Sequence, residues 1–283
     1  MPLKPCPHSL SHLKSQRLPK RRSMSINMGR LIYNGAVVLA DSYSYLADGT
    51  SRKDRKILHF NGVNVAFAIA DASDDADAAK ALISTIGHRF ANEAQQWKKI
   101  EEIAKSEMTD WHRAFRKAPA TIFTGAAMLK GEKPSVRLFS MIPPRTISFL
   151  EDGYVANGAG SWIANLVYDM LFSSHPQRDP QMVLRECAYL LYRVKEANVF
   201  CKGVEGYVLD CKSQTLRHLD LRDIRDAVNA SFQLDIVLWM AGLAMIRDNR
   251  GSSHNNPPAV DQLIARCDKM RAIVFRDVGG TPI

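Results

Sequence analysis

The chain has 283 residues, 46% of them hydrophobic, enough for one substantial domain plus an appendage. No apolar stretch is long enough to cross a bilayer, which predicts a soluble protein without membrane partners. The net charge is +9, but Lys4, Lys14, Arg17, Lys20, Arg21 and Arg22 carry six of those charges before residue 24, so the basic balance is weak grounds for nucleic-acid binding. Five cysteines, Cys6, Cys187, Cys201, Cys211 and Cys267, form no Cys-x-x-Cys pair, and the odd count argues against a disulfide framework and fits a cytoplasmic setting.

Residues 1–24 are basic and proline-rich with no acid, a composition that cannot bury a core and predicts disorder. The segment reads as a propeptide, a misassigned start with Met24 as the true first residue, or a retained basic arm. Cys6, His8 and His12 within it are a low-complexity coincidence, and no metal or other cofactor is assigned. From Met24 a serine leads directly into apolar runs at 31–33 and 36–40 on either side of Asn34-Gly35, a pair that favours a two-residue hairpin turn. Asn61-Gly62 repeats the device between 56–60 and 63–70, so four antiparallel strands that start one sheet are expected, with a second sheet after the helices.

Residues 73–106 read as two helices, with Asp74, Asp75 and Asp77 in the first turn, where acids suit the helix dipole. Strands are expected at 120–128, 135–142 and 146–156. A helix over 161–172 carries Trp162, Ile163, Leu166, Val167, Met170 and Leu171 on one stripe, and a second follows over 181–195. A last hairpin at 206–211 and 215–219 precedes a mostly helical remainder, of which 230–246 is apolar on several faces. The order of strands, helix pair, strands, helix pair, strands predicts two antiparallel sheets packed together with helices outside.

These residues resemble the proteasome β-subunits and the related bacterial peptidase subunit of the two-component ATP-dependent protease. In that family an N-terminal threonine opens the first strand, a Gly-containing turn follows, and the second strand ends in an Ala-Asp-Ser-like step. Ser25, Gly29, Gly35 and Ala40-Asp41-Ser42 match without a gap, Arg55-Lys56-Ile57 is similar to the family's Lys-Lys-Val/Ile step, and Gly158-Ala159-Gly160-Ser161 resembles its Gly-Ser-Gly-Ser segment.

The resemblance implies an α+β fold, a four-layer αββα sandwich of the N-terminal-nucleophile (Ntn) hydrolase type over 25–219, with a helical C-terminal extension at 220–283. It implies a peptidase in which Ser25 is nucleophile and general base, Lys56 stabilises the nucleophile, and Asp41 holds the lysine. A free α-amine has a pKa of about 7.7 to 8.0 and so can accept the hydroxyl proton at neutral pH. Supporting positions are Ala70 (or Asp71 in a slipped register) for the oxyanion donor, Ala159, Gly160 and Ser161 at the third helix, and Asn198 and Cys201 near the fourth.

Three departures stand against activity: Ala159 replaces a serine, Asn198-Val-Phe-Cys201-Lys-Gly203 replaces Asp-x-x-Ser-Gly-Gly, and Ala70 replaces a glycine. The resemblance also implies a homo-oligomeric ring acting on peptides or unfolded proteins, and it admits an ATP-dependent unfoldase as partner. The other readings are a catalytically decayed ring or scaffold subunit and an Ntn amidase acting on a small amide.

Overall fold

The computed structural model describes residues 25–45, 51–53, 55–73, 75–114, 120–144, 146–150, 153–158, 160–173, 179–197 and 203–219, with residues 222, 226 and 229 at helical positions. The basic arm, Cys6, His8 and His12, Asp74, Ala159, Asn198, Cys201 and the apolar segment 230–246 lie outside the described residues.

The described chain is mixed α+β. Sheet one contains β1 (Ile26–Ile32), β2 (Gly35–Ala40), β10 (Tyr154–Gly158), β11 (Glu205–Asp210) and β12 (Thr215–His218), in the order β10-β1-β2-β11-β12. Sheet two contains β5 (Ile57–Asn61), β6 (Val65–Ser73), β7 (Thr121–Leu129), β8 (Ser135–Ile142) and β9 (Thr146–Phe149), in that order. The pairings in both are antiparallel. A small ribbon of β3 (Tyr43–Tyr45) and β4 (Ser51–Lys53) lies in the connection between β2 and β5. The helices are α1 (Ala76–Glu93), α2 (Trp97–Ala114), α3 (Ser161–Leu171) and α4 (Pro180–Ala197), and among the described residues none is long and apolar enough to cross a membrane.

Alternation along β1 explains how the layers meet. Ile26, Met28 and Ile32 join a cluster with Ile163, Leu184, Leu190 and Val194 of α3 and α4, whereas Leu31 packs on the opposite side with Val38, Ala68, Ala126 and Leu138. A third cluster packs Phe67, Phe123 and Phe139 of sheet two against Ile83, Ile86, Phe90, Ile100 and Ile103 of α1 and α2. Small residues set the spacing between the sheets: a Cβ on Gly29 would meet Leu138 Cδ1 at 2.3 Å. At the far end, Gly131 and Gln214 exchange hydrogen bonds of 2.9 and 3.0 Å, tying the β7–β8 turn to the β11–β12 turn.

Several sequence expectations shift. Ile32 pairs with Gly35, so the first turn is Tyr33-Asn34 rather than Asn34-Gly35. Gly35 is there for space: its Cβ would sit 1.9 Å from the Leu209 carbonyl oxygen. In the second hairpin Asn61 pairs with Ala66, and β6 starts at Val65 instead of Val63, with Gly62 N–H donating to the Val65 carbonyl at 2.9 Å.

The two hairpins expected to start one sheet part instead, β1–β2 entering sheet one and β5–β6 sheet two, and the strand expected over 146–156 is likewise two strands in different sheets, β9 and β10. Asp75 is the N-cap of α1, accepting from Ala78 N–H at 3.1 Å, which leaves Asp77 as the acid in the first turn. The α3 stripe divides, since Ile163 is buried while Trp162, Leu166 and Met170 are 66%, 52% and 72% exposed.

Candidate functional site

Three chain positions meet because each lies at the end of a strand. Ser25 immediately precedes β1, Asp41 immediately follows β2, and Lys56 immediately precedes β5. The β1–β2 hairpin closes its open end by two bonds, Asp41 N–H to the Ile26 carbonyl at 3.1 Å and Ile26 N–H to Asp41 Oδ1 at 2.9 Å. The second carboxylate oxygen, Oδ2, accepts from Lys56 Nζ at 2.7 Å, and the same Nζ donates to Ser25 Oγ at 2.7 Å. All three side chains are buried, at 6% exposure for Ser25, 1% for Asp41 and 4% for Lys56.

Burial of this ion pair decides its chemistry. Desolvation pushes the Asp41 carboxyl above its ordinary value, and the Lys56 charge, the Lys56 hydrogen bond and the Ile26 N–H pull the other way. An ammonium 2.7 Å from a hydroxyl oxygen stabilises negative charge developing on that oxygen, and the effect is stronger in a water-poor setting than in solvent. The arrangement can therefore lower the cost of forming a serine alkoxide-like nucleophile.

The strand next to Ser25 is fitted to it. Gly158 on β10 pairs with Ile26 and has φ +102°, a left-handed-region angle that favours glycine; a Cβ there would sit 2.1 Å from the Ser25 carbonyl oxygen. That same Cβ would lie 3.2 Å from Ala72 Cβ, so Ala72 of β6 borders this corner of the site.

Asn27, fully buried two residues into the chain from Ser25, binds across to sheet two. Its Nδ2 donates to the Ala70 carbonyl at 3.4 Å, and its Oδ1 accepts from Thr124 Oγ1 at 2.7 Å. Asn157 Nδ2 donates to Thr124 Oγ1 at 2.7 Å and extends this polar network to β10.

The sequence-derived positions divide as follows. Ser25, Asp41 and Lys56 are brought together. Ala70 is fully buried within β6, opposite Ile57 on one neighbouring strand and Thr124 on the other, and Asp71 N–H donates to the Lys56 carbonyl at 3.2 Å. Gly160 precedes the first turn of α3, where a Cβ would meet Val194 Cγ1 at 2.3 Å, and Ser161 is the first helical residue. The glycine thus serves close packing of α3 on α4.

Sequence reasoning missed Asn27 and Glu205. Glu205 opens β11, is 8% exposed, and accepts from the Lys56 backbone N–H at 3.2 Å. The signals were a polar residue and an acid on strands rich in buried apolar residues.

No protein-family model and no curated protein matches this chain. Solved structures do. A Gly-1 mutant of Anbu from Hyphomicrobium sp. strain MC1 superposes with a TM-score of 0.62 at 14% identity, over 82% of this chain and 99% of that one. Anbu (ancestral beta-subunit) from Yersinia bercovieri gives 0.58 at 11% identity, over 82% and 100%. A helical assembly of the Anbu complex from Pseudomonas aeruginosa gives 0.56 at 14% identity, over 83% and 99%. At such identities the likeness shows the fold: the chain has the proteasome-like β-subunit fold of the Anbu proteins.

Proposed function

We propose that the protein is a proteasome-like Ntn hydrolase that cleaves peptide bonds with Ser25 as nucleophile. The observation that carries this reading is Lys56 Nζ, bonded at 2.7 Å to both Ser25 Oγ and Asp41 Oδ2. In this reading removal of the residues before Ser25 frees its α-amine, which takes the hydroxyl proton as Oγ attacks the substrate carbonyl carbon. Lys56 stabilises the negative charge on Oγ, and Asp41 keeps the ammonium in place. The C–N bond breaks, the departing amine takes the proton from the Ser25 ammonium, and a serine ester remains. Water, deprotonated by the same amine, hydrolyses the ester and restores the hydroxyl.

Residues 25–219 form the catalytic domain in this account, arranged as a four-layer αββα sandwich. The three apolar clusters, one between the sheets and one beneath each helix pair, support that arrangement. Residues 220–283 are an added extension. The similarity to an Anbu helical assembly supports a homo-oligomeric state. The substrate class is peptide or unfolded protein, and the setting is the cytoplasm.

Ser25→Ala is expected to remove hydrolysis of fluorogenic peptides while the oligomer stays intact by light scattering. Persistent turnover in that variant would eliminate Ser25 as the nucleophile, and an inert wild type with intact assembly would favour a scaffold subunit.

A further inference from the structure

Lys56 is poorly held by its own strand. β5 is an edge strand of sheet two, and Lys56 lies one residue before it begins, where, among the described residues, sheet pairing comes from β6, through the Asp71 N–H bond to the Lys56 carbonyl at 3.2 Å. Ends of edge strands open most readily, and a lysine side chain adds four rotatable bonds between the backbone and the charge. Yet Nζ must stay within hydrogen-bonding reach of two partners at once.

The second hold comes from the other sheet. Glu205 on β11 pairs with Ala40, the residue before Asp41, so its backbone is fixed beside one member of the charged pair. Its Oε2 accepts from the backbone N–H of Lys56, the other member, at 3.2 Å. One buried carboxylate thereby links the strand end that carries Asp41 to the strand start that carries Lys56.

We propose that Glu205 is a positioning residue that fixes Lys56 relative to Ser25 and Asp41 by holding the Lys56 backbone from the opposite sheet. The inference rests on the reading of Ser25 as nucleophile. The groups facing Glu205 among the described residues are the backbone N–H groups of Lys56 and Ile57, the Arg55 guanidinium and the His218 imidazole, with Tyr207 adjacent on β11. His59 stacks on Tyr207 with ring centroids 4.3 Å apart, and Asp41 follows the register partner Ala40. Burial raises the Glu205 carboxyl above its ordinary value, while these N–H groups and cations oppose the shift.

The test uses the full chain labelled with ¹⁵N-lysine, with the Lys56 amide resonance assigned by its loss in Lys56→Arg. The amide is expected to shift with an inflection above pH 4.5, the ordinary glutamate value, and Glu205→Gln should abolish that inflection. A Lys56 amide that ignores pH across this range would overturn the proposal. In turnover assays Glu205→Ala should lower kcat by about a hundredfold with KM little changed, the scale expected when a catalytic group is displaced by about 1 Å.

Glu205→Gln keeps a carbonyl acceptor and should recover most of the loss. Equal kcat in wild type and Glu205→Ala, or a loss that Glu205→Gln fails to rescue, would contradict the positioning role. A wild type without turnover sinks the nucleophile reading instead, and the amide titration then decides the Glu205 contact by itself.

Discussion

Two buried charge clusters draw on the same strand, and they differ in what their charges are aimed at. Near the start of β1, Lys56 reaches a carboxylate and a hydroxyl at 2.7 Å each. Further along, Arg30 donates to Tyr168 Oη at 2.7 Å, lies over the Tyr168 ring at 4.9 Å, and approaches Glu186 at 3.7 Å. Tyr154 stacks on Tyr168 with ring centroids 3.9 Å apart and completes that aromatic wall.

The guanidinium is spent on fixed partners that join sheet one to α3 and α4, a task suited to its planar fork. The ammonium is a point charge directed at an oxygen that can become a nucleophile. Burial and pairing alone therefore do not single out a candidate catalytic site; what separates the two clusters is the second partner, a serine hydroxyl for Lys56 and a tyrosine for Arg30.

Lys56→Ala separates the two clusters most sharply, since it should reduce turnover by about 10²- to 10³-fold, the scale of losing one donor to a developing oxyanion. Peptide hydrolysis at saturating substrate measures this, and a loss below tenfold would place the lysine outside the chemistry. Arg30→Met should act on the other axis. Breaking a buried pair costs about 3–5 kcal/mol of stability, read by denaturant unfolding, while kcat in the folded fraction stays near wild type.

Gly158→Ala tests the seam between stability and chemistry, because its φ of +102° and its contact with the Ser25 carbonyl affect both. A cost of about 1–3 kcal/mol is expected from the backbone angle, together with a fall in kcat that Arg30→Met does not show. Tyr168→Phe should cost less than Arg30→Met, about 1.5–3 kcal/mol for one hydrogen bond from a charged donor, with turnover unaffected.

Acid pH gives a further contrast. Asp41 has a raised carboxyl, so it becomes protonated at a higher pH than a free aspartate, and turnover should fall on an acid limb lying above 3.8. The same shift means that Asp41's contribution to stability decreases as pH rises from its unfolded value through its folded one. Comparing Asp41→Asn with wild type should show the acid limb displaced and this stability dependence removed.

The hairpins and helix pairs were legible because apolar periodicity and turn chemistry are local; sheet membership was not, since the hairpins β1–β2 and β5–β6, expected to start one sheet, fall in different ones. What failed had nonlocal causes. Gly35 was read as a turn residue, but the approach of Leu209 on β11 is what forbids a side chain there. The 146–156 run looked like one strand because each half is β-compatible, and what divides it is the sheet each half joins, β9 ending at Phe149 in one and β10 beginning at Tyr154 in the other.

The α3 stripe mixed Trp162, Leu166 and Met170, which face outward, with Ile163, which meets α4, since apolar character alone cannot distinguish the faces. Ser25, Asp41 and Lys56 were legible through spacing that resembles a family. Glu205 was not, because its role depends on β11 lying beside β2, a pairing that spans most of the chain.

The central claim is that Ser25 becomes an N-terminal nucleophile assisted by Lys56. The most direct measurement is the intact mass of protein expressed from its native gene context, before and after incubation with a peptide epoxyketone, which needs both a free amine and its hydroxyl. A chain beginning at Ser25 that gains one adduct is expected, with no adduct in Lys56→Ala over the same period. A chain that retains residues before Ser25 and gains no adduct would contradict that claim.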